Sequence, residues 1–251
     1  MPEGPSILIA TETMDSFAGK TIKWASGSAA LDSDTLVGQR IVALRSWGKH
    51  FLIEMPGFSV RIHFLMFGTY RVNERKDAVP RLSLGFADGQ ELNFYTCAVK
   101  RVDGPLAQAY DWSSDVLSEH WDAAAAARKL RLAPQMLACD ALLDQTIFSG
   151  VGNIIKNEVL FRTRIHPLSQ VGALPPARLR ALVKDARQYS FNFLAWKKAG
   201  VLKKHWLAHT REICPRCVIP FSKGHLGKTQ RRSFFCEYCQ DKYLLDPADV
   251  F

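Results

Sequence analysis

The hydrophobic pattern of the chain changes its period twice, and each change marks a different kind of secondary structure. Near the N-terminus, Ile7, Ala10 and Met14 recur at the three- to four-residue spacing of one helix face. This spacing predicts a helix over residues 4–17. Because the helix would begin directly after Pro2, it would hold the start of the chain in a fixed place.

From residue 21 to residue 95, the apolar positions come in short segments that are rich in β-branched and aromatic residues. Turn signals separate them, and the Asp88-Gly89 pair is typical of a hairpin turn. Several short antiparallel strands at this spacing indicate a β-sandwich or barrel. The predicted strands cover residues 40–45, 50–55, 60–64, 82–86 and 91–95.

After about residue 118 the pattern becomes helical again. Pro175 and Pro176 would open the last helix and Gly200 would stop it, as these residue types often do. The change of pattern places a domain boundary near residues 111–120. The predicted helices cover residues 122–132, 136–144, 153–162 and 176–199.

Composition is that of a soluble globular protein, with 47% hydrophobic and 23% charged residues. No apolar run approaches the ~20 residues of a membrane span, and no basic-then-apolar signal precedes the predicted domains. We therefore expect a cytoplasmic protein with no membrane partner.

Basic residues outnumber acidic residues by 33 to 24, which gives a formal net charge of +9. Such a surplus suits a polyanion, since each neutralised phosphate releases counterions. The cations also cluster, at residues 197–211 and again at residues 223–232, and aromatic residues interleave the first group. Nucleic acid is favoured as the partner over the alternative of a merely basic soluble protein.

Four of the six cysteines form two Cys-x2-Cys pairs separated by eighteen residues. This spacing is typical of a zinc ribbon, in which four thiolates fill the coordination sphere and the metal is structural. Disulfides or a redox Cys-x2-Cys motif are the alternatives. Basic and aromatic residues between the pairs predict a short hairpin. The four ligands would be Cys214, Cys217, Cys236 and Cys239, while Cys97 and Cys139 are expected to be buried thiols.

The first residues offer a nucleophile. If Met1 is removed, Pro2 becomes N-terminal and its ring nitrogen is a secondary amine, which can attack carbon and form an iminium. An α-amino group has a pKa of roughly 7.7–8.0, against about 10.4 for lysine, so more of it is neutral near pH 7. Glu3 lies beside it and could transfer protons. The alternative is an ordinary start of a chain.

A glycine-rich turn, Gly150-Val-Gly152-Asn153, joins two predicted helices. Glycines permit unusual backbone conformations, and a turn that ends at a helix N-terminus can bind an anion. We expect Asn153 at the N-cap, with its side-chain amide available to the same phosphate. Taken alone the motif is weak, because many helix–turn–helix connections contain glycine.

Together, the Pro2-Glu3-Gly4-Pro5 start, the glycine turn that continues through Glu158 to residues 164–167, and the cysteine pairs resemble the formamidopyrimidine-DNA glycosylase / endonuclease VIII family. The resemblance covers nearly the whole chain. It implies an α+β multi-domain fold: an antiparallel β-sandwich with flanking helices (residues 1–115), a helix-two-turn-helix domain (116–204) and a zinc-ribbon finger (205–251). DNA would bind between the first two domains.

The resemblance also implies roles for single residues. Pro2 matches the nucleophile that attacks C1′ of the damaged nucleotide, and Glu3 matches the proton donor that assists opening of the sugar. Lys49 matches a catalytic lysine on a β-strand that contacts phosphate near the lesion. Asn153 and Arg231 match residues of the turn and the finger that bind the DNA backbone. For Lys49 or Arg231 alone, a solvated surface cation would be the simpler interpretation.

The resemblance also implies a phosphate-binding arginine in the finger and apolar residues that fill the DNA stack. For the arginine, Arg232 is an alternative to its neighbour Arg231. Leu65, Met66 and Phe67 occupy the place of the residues that fill the gap left by the flipped nucleotide. The competing interpretation for each of these three is that it belongs to the sandwich core.

The chain departs from the family branch that acts on oxidised purines. That branch has an Arg-Arg-Phe-Gly-like segment, whereas residues 100–104 read Lys-Arg-Val-Asp-Gly and lack the aromatic residue. The purine branch also has a long glycine-rich loop before the finger, where this chain has a short basic segment at residues 199–213. Both differences favour the endonuclease VIII-like branch and oxidised pyrimidines.

The sequence thus predicts a monomeric bifunctional DNA glycosylase/AP lyase of base excision repair. It would act on damaged double-stranded DNA by β,δ-elimination, with one structural Zn²⁺ per chain, in the nucleoid of a bacterial-type cytoplasm. Two alternatives stay open. One is an oxidised-purine glycosylase, and the other is a non-catalytic zinc-ribbon protein that binds nucleic acid.

Overall fold

The computed structural model of the protein describes residues 2–246. Met1 and residues 247–251 lie outside the described part, and so do the predicted removal of Met1 and the end of the tail at residues 240–251. The chain forms two compact units, residues 1–111 and residues 112–251. Each unit has a hydrophobic core of its own.

Two four-stranded antiparallel sheets form the first unit. The strands are β1 (Ile22–Ser26), β2 (Ala43–Trp47), β3 (His50–Met55), β4 (Phe58–His63), β5 (Thr69–Val72), β6 (Leu82–Phe86), β7 (Glu91–Tyr95) and β8 (Ala98–Asp103). Their orders in the two sheets are β1-β6-β7-β5 and β2-β3-β4-β8. The inward side chains of both sheets meet in one core, which includes Phe51, Ile53, Leu84 and Phe94.

The strands predicted over residues 50–55, 82–86 and 91–95 are confirmed with their bounds. The segment predicted at 40–45 begins three residues later, at Ala43, and β4 begins earlier than predicted. β1, β5 and β8 were not predicted. Each of these three strands lies at the edge of a sheet and is partly exposed, so it lacks the dense apolar pattern of a central strand.

Helix α1 (Gly4–Thr13) packs against β2 and β3. It is shorter than predicted, because a separate 3₁₀ turn covers Asp15–Phe17. Near its end the hydroxyl groups of Thr11 and Thr13 donate back to carbonyls four residues earlier, at 3.1 and 2.8 Å. The first unit also contains the one-turn helix α2 (Leu106–Ala109).

In the part of the second unit that the structure describes, the chain forms four α-helices and a hairpin. Asp122 caps the first of these helices, and its carboxylate accepts from two backbone N–H groups of the first turn, as a cap should. The elements are α3 (Ala123–Arg131), α4 (Ala138–Ala141), α5 (Asn153–Arg162), α6 (Pro176–Lys198), β9 (Ser222–Leu226) and β10 (Arg231–Phe235).

The helix predicted over residues 136–144 is wrong in its length, since only the single turn α4 forms. The backbone N–H of Ala138 donates to the carbonyl of Ser169, and that of Cys139 to the carbonyl of Pro167. These bonds to a distant segment replace the helical bonds that would extend α4 toward its N-terminus. The helices predicted over 153–162 and 176–199 are confirmed to within one residue.

Among residues 2–246, no helix is both long enough and apolar enough to cross a membrane.

Candidate active site and nucleic-acid interface

The start of the chain is fixed by the helix that follows it. Glu3 is the N-cap residue of α1, in an extended conformation, and its carbonyl accepts from the backbone N–H of Ser6 at 2.8 Å. Pro5 occupies the first turn, where a missing N–H costs nothing. Pro2 is half-buried, and Glu3 is only 3% exposed. The structure therefore brings these two predicted site residues to one rigid place.

Lys49 lies in the two-residue turn between β2 and β3, not on a strand as predicted. Trp47 and His50 form the closing pair of this hairpin. Gly48 takes a φ of +53°, which a glycine adopts at no steric cost in such a turn. The side chain of Lys49 is half-buried, so the hairpin restricts where its ammonium group can lie.

Two histidines that the sequence analysis did not select lie beside Lys49. His50 and His63 pair across β3 and β4, with ring centroids 5.5 Å apart. Burial, followed by the nearby charges of Arg61, His63 and Lys49, lowers the pKa of His50 to about 3. Burial also lowers the pKa of His63, with contributions from Lys49 and Arg61. Both rings are therefore neutral near pH 7.

We expect His50 to weaken the fold in acid. Between pH 6.5 and about 3 the unfolded chain binds a proton that folded His50 refuses, so stability falls as the pH falls. The slope from this residue is up to about 1.4 kcal/mol per pH unit. In His50→Gln, the urea midpoint should fall less between pH 7.5 and pH 4.5 than in the unaltered protein.

The matched control is His120→Gln, because the side chain of His120 is 69% exposed. It should leave the pH dependence unchanged. Equal slopes for His50→Gln and the unaltered protein would show that His50 does not titrate as proposed.

Leu65, Met66 and Phe67 follow β4 in a tight turn. The backbone N–H of Gly68 donates to the carbonyl of Phe64 at 2.7 Å, and a Cβ on Gly68 would collide with that carbonyl. The turn directs the three apolar side chains outward, with exposures of 45%, 53% and 77%. The core interpretation of these residues is wrong, whereas Phe64 is in the core.

In the second unit, the N-cap of α5 is Gly152, and Asn153 is the first residue of the helix. The prediction that Asn153 is the N-cap is therefore wrong by one residue. The side-chain amide of Asn153 donates to the carbonyl of Arg232 at 3.0 Å. Its Oδ1 is buried and accepts no hydrogen bond among residues 2–246. Asn153 thus links the glycine turn to strand β10, next to Arg231.

Two further polar side chains of α5 attach the hairpin β9–β10, and neither was predicted from the sequence. Lys156 is fully buried and donates to Ser233 Oγ at 2.8 Å. Asn157 accepts from the backbone N–H of Phe234 at 3.1 Å and donates to the carbonyl of Arg232 at 3.2 Å. A run of consecutive polar residues inside an otherwise apolar helix was the available signal.

Glu158 is the next residue of the same helix and is also fully buried. Its carboxylate accepts from the backbone N–H groups of Leu207, Ala208 and His209 at 2.8–2.9 Å. Burial raises the pKa of Glu158, while these three bonds oppose the shift. Glu158 therefore fixes the segment that leads into the cysteine pairs.

The tip of the hairpin is held by Asp140 in α4. Its carboxylate accepts from the backbone N–H groups of Lys228 at 2.8 Å and Thr229 at 3.1 Å. Arg231 begins β10 and is half-buried, whereas Arg232 is exposed and lies over the ring of Phe234. The position of both arginines therefore depends on how firmly the tip is held.

Asp140→Ala should loosen this tip. Loss of two charge-assisted hydrogen bonds at a partly exposed site is expected to cost about 1–2 kcal/mol locally. Hydrogen exchange of the Lys228 and Thr229 amides should become roughly tenfold faster or more.

Asp144→Ala provides the control, because Asp144 caps only a local turn at Thr146. If the two amides exchanged equally fast in Asp140→Ala and the unaltered protein, Asp140 would not restrain the tip.

The four cysteine Sγ atoms lie within 4.8 Å of one another, and those of Cys214 and Cys239 are 3.7 Å apart. Tetrahedral Zn²⁺ with bonds of about 2.3 Å requires sulfur atoms about 3.8 Å apart, so the cluster has the dimensions of a closed metal site. The backbone N–H of Cys236 donates to Gln240 Oε1, which orders the second pair. None of the six cysteines forms a disulfide within residues 2–246.

Cys97 and Cys139 are buried thiols, as predicted. Burial raises the pKa of each to about 11, which makes both poor nucleophiles.

Comparison with protein-family models gives two matches. Residues 1–97 match the formamidopyrimidine-DNA glycosylase N-terminal domain, and residues 113–201 match the formamidopyrimidine-DNA glycosylase H2TH domain. The two matched segments correspond to the β-sandwich and to the helices of the second unit.

Curated relatives are similar over most of the chain. Endonuclease 8-like 2 of Bos taurus is 37% identical over 202 residues, which cover 74% of this chain and 60% of the relative. Endonuclease 8-like 3 of Xenopus laevis is 31% identical over 232 residues, 88% of this chain and 38% of the relative. The chain therefore spans less than two thirds of the length of these relatives.

Solved structures share the fold. Formamidopyrimidine DNA glycosylase of Lactococcus lactis, bound to DNA that contains an AP site, superposes with a TM-score of 0.83 at 21% identity, over 96% of this chain and 100% of that one. A viral DNA glycosylase gives 0.81 at 18% identity, over 95% and 99%. These likenesses confirm the predicted fold class.

Proposed function

Since the chain belongs to the formamidopyrimidine-DNA glycosylase / endonuclease VIII family, we propose that it is a bifunctional DNA glycosylase/AP lyase of base excision repair. One observation carries the proposal. If Met1 is removed, Pro2 has a secondary amine directly beside Glu3, a residue that is only 3% exposed and is the N-cap of α1.

In the proposed reaction, removal of Met1 frees the nitrogen of Pro2, which attacks C1′ of the damaged nucleotide. Glu3 protonates the sugar ring oxygen, so that the ring opens, and the bond from C1′ to the base breaks as C1′ becomes an iminium. The base leaves with the proton that the ring nitrogen of Pro2 loses. The iminium acidifies the protons at C2′, and successive β- and δ-eliminations release the phosphates on the 3′ and 5′ sides.

Lys49, Asn153 and Arg231 are proposed to bind backbone phosphates near the lesion. The net charge of +9 supports this role, because phosphate contacts draw their free energy from counterion release. Leu65, Met66 and Phe67 are proposed to fill the space of the flipped nucleotide. Their outward orientation at a rigid turn supports this role, since a wedge has to project from the surface.

The preferred substrate is proposed to be an oxidised pyrimidine in double-stranded DNA. Endonuclease 8-like relatives favour this branch. Residues 100–103, where purine enzymes carry a phenylalanine, lie on β8 and include no aromatic residue. In this segment Arg101 packs over the ring of Phe58 at 3.7 Å. An oxidised-purine substrate is the alternative.

Borohydride trapping tests the proposal. The protein is incubated with duplexes that carry an oxidised pyrimidine, an oxidised purine or an abasic site, and a covalent complex is measured after reduction of the iminium. We expect complexes with the pyrimidine and abasic duplexes and at least tenfold less with the purine. Absence of any complex would favour a non-catalytic zinc-ribbon protein that binds nucleic acid.

We further propose that Cys214, Cys217, Cys236 and Cys239 hold one structural Zn²⁺. With four thiolates, the site would leave no position for a reactant, so the metal would only stabilise the finger. Metal analysis should give one zinc per chain. Cys217→Ser should lower zinc content and weaken DNA binding about tenfold, since the finger carries phosphate contacts.

Cys97→Ser is the control, because Cys97 is buried in the first unit, outside the cysteine cluster. It should keep the zinc. Full zinc content in Cys217→Ser would argue against a four-thiolate site.

We also propose that the protein acts as a monomer and lies with the nucleoid of a bacterial-type cytoplasm.

A further inference from the structure

A groove runs between α3 and α6 in the second unit, apart from every residue placed in the proposed DNA chemistry. Its volume is about 480 Å³, within the range that binds a ligand or a few side chains. The alanines of α3 leave space for the groove, because larger side chains at these positions would fill it. The apolar lining includes Trp121, Ala124, Ala127, Leu179, Val183 and Phe191.

The rim of this α3–α6 groove is positively charged. Arg131, Arg180, Lys184 and Arg187 line it, and no carboxylate does so among the described residues. The nearest acidic residue along α6, Asp185, is bound by Arg162 at 2.8 and 3.1 Å. Within residues 2–246, the rim cations therefore have no anionic side chain that lines the groove and could neutralise them.

The rim is also ordered along one helix. Arg180, Lys184 and Arg187 are spaced by four and three residues, so they share one face of α6 and span about 10 Å. Arg187 is held in place, because it donates to the carbonyl of Ser118 at 2.9 Å and lies 5.2 Å from the ring of Phe191. The groove thus combines a row of cations, of which Arg187 is held in place, with an apolar floor.

We propose that the α3–α6 groove binds an acidic amphipathic helix of a partner protein. Carboxylates on successive turns of such a helix would match the row of cations, and one or two large apolar side chains would enter the floor. Nucleic acid fits less well, because a phosphate backbone offers nothing to cover exposed apolar surface such as that of Phe191, which is 37% exposed. This activity is separate from the proposed base excision.

A display library of random 16-residue peptides, selected on the full-length protein, tests this proposal. Selected peptides should carry two or more carboxylates beside aromatic or aliphatic residues. Their affinity, measured by fluorescence anisotropy, should fall at least tenfold in the double variant Arg180→Glu/Lys184→Glu and in Ala124→Glu, which places a carboxylate on the floor. Lys197→Glu, near the end of α6 and outside the groove, should bind the selected peptides with the affinity of the unaltered protein.

Ala124→Glu should keep the unaltered protein's trapping of abasic DNA, which separates loss of the groove from loss of the fold. Three results would overturn the proposal. One is selection of basic or neutral peptides, and another is binding that the groove variants do not weaken. The third is an undamaged oligonucleotide that displaces the peptide and whose own binding is weakened in Ala124→Glu. That result would assign the groove to nucleic acid.

Discussion

Protein that keeps one residue ahead of Pro2 will lose nearly all of its borohydride-trapped complex with DNA that contains an abasic site. Acylation converts the ring nitrogen into an amide, whose lone pair is delocalised into the carbonyl and cannot attack C1′. A variant with alanine inserted between Met1 and Pro2 makes the test, because processing then leaves alanine at the terminus. The trapped fraction should fall by a factor of roughly 10³ or more.

Binding of DNA should survive this insertion, since the residues proposed to contact phosphate are unchanged. Affinity for a duplex with a non-reactive abasic analogue should stay within a few fold, which shows that the site is intact. Pro2→Gly adds a second comparison, because a primary amine at the terminus should still be trapped, though less efficiently. Trapping of the extended protein at the normal level would move the nucleophile elsewhere, either to the terminal amine of the inserted alanine or to Lys49.

Much of the fold could be predicted because its central elements have local causes. In β3, β6 and β7, apolar density and turn residues sufficed to give the bounds. The same holds for α5, whose start follows the glycine turn. α4 could not be predicted in this way, because carbonyls of residues 167 and 169 take the N–H groups that would extend it. The sequence around α4 contains no trace of those partners.

The residues of the candidate site also differ in whether their role has a local cause. The four cysteines could be selected because a metal spacing is visible in the sequence itself. Pro2 and Glu3 were selected through the resemblance of the first residues to a known family, since these residues alone also fit an ordinary start of a chain. The hairpin anchors were missed because their partners are remote: Lys156 contacts a residue 77 positions away, and Asp140 one 88 positions away. A buried polar residue is informative only once its partner is known.

Glu3→Gln should remove most of the base-excision activity while leaving the lyase reaction largely intact. Glutamine has nearly the same size and still forms hydrogen bonds, but it has no acidic proton to give to the sugar. Loss of a positioned general acid typically costs 10²–10⁴-fold, and we expect a fall of this size in the rate of base removal. A ready-made abasic site exists partly as an open aldehyde, so Pro2 can attack it without that proton.

The comparison therefore uses two substrates under single-turnover conditions. With a duplex that carries an oxidised pyrimidine, Glu3→Gln should be slower by at least a hundredfold, while with an abasic duplex its trapping should stay within about tenfold. Glu12→Gln, on an exposed position of the same helix, should match the unaltered protein on both. An equal loss on the two substrates would mean that Glu3 supports the terminus and does not act as an acid, because only a proton donor separates base release from the steps that follow.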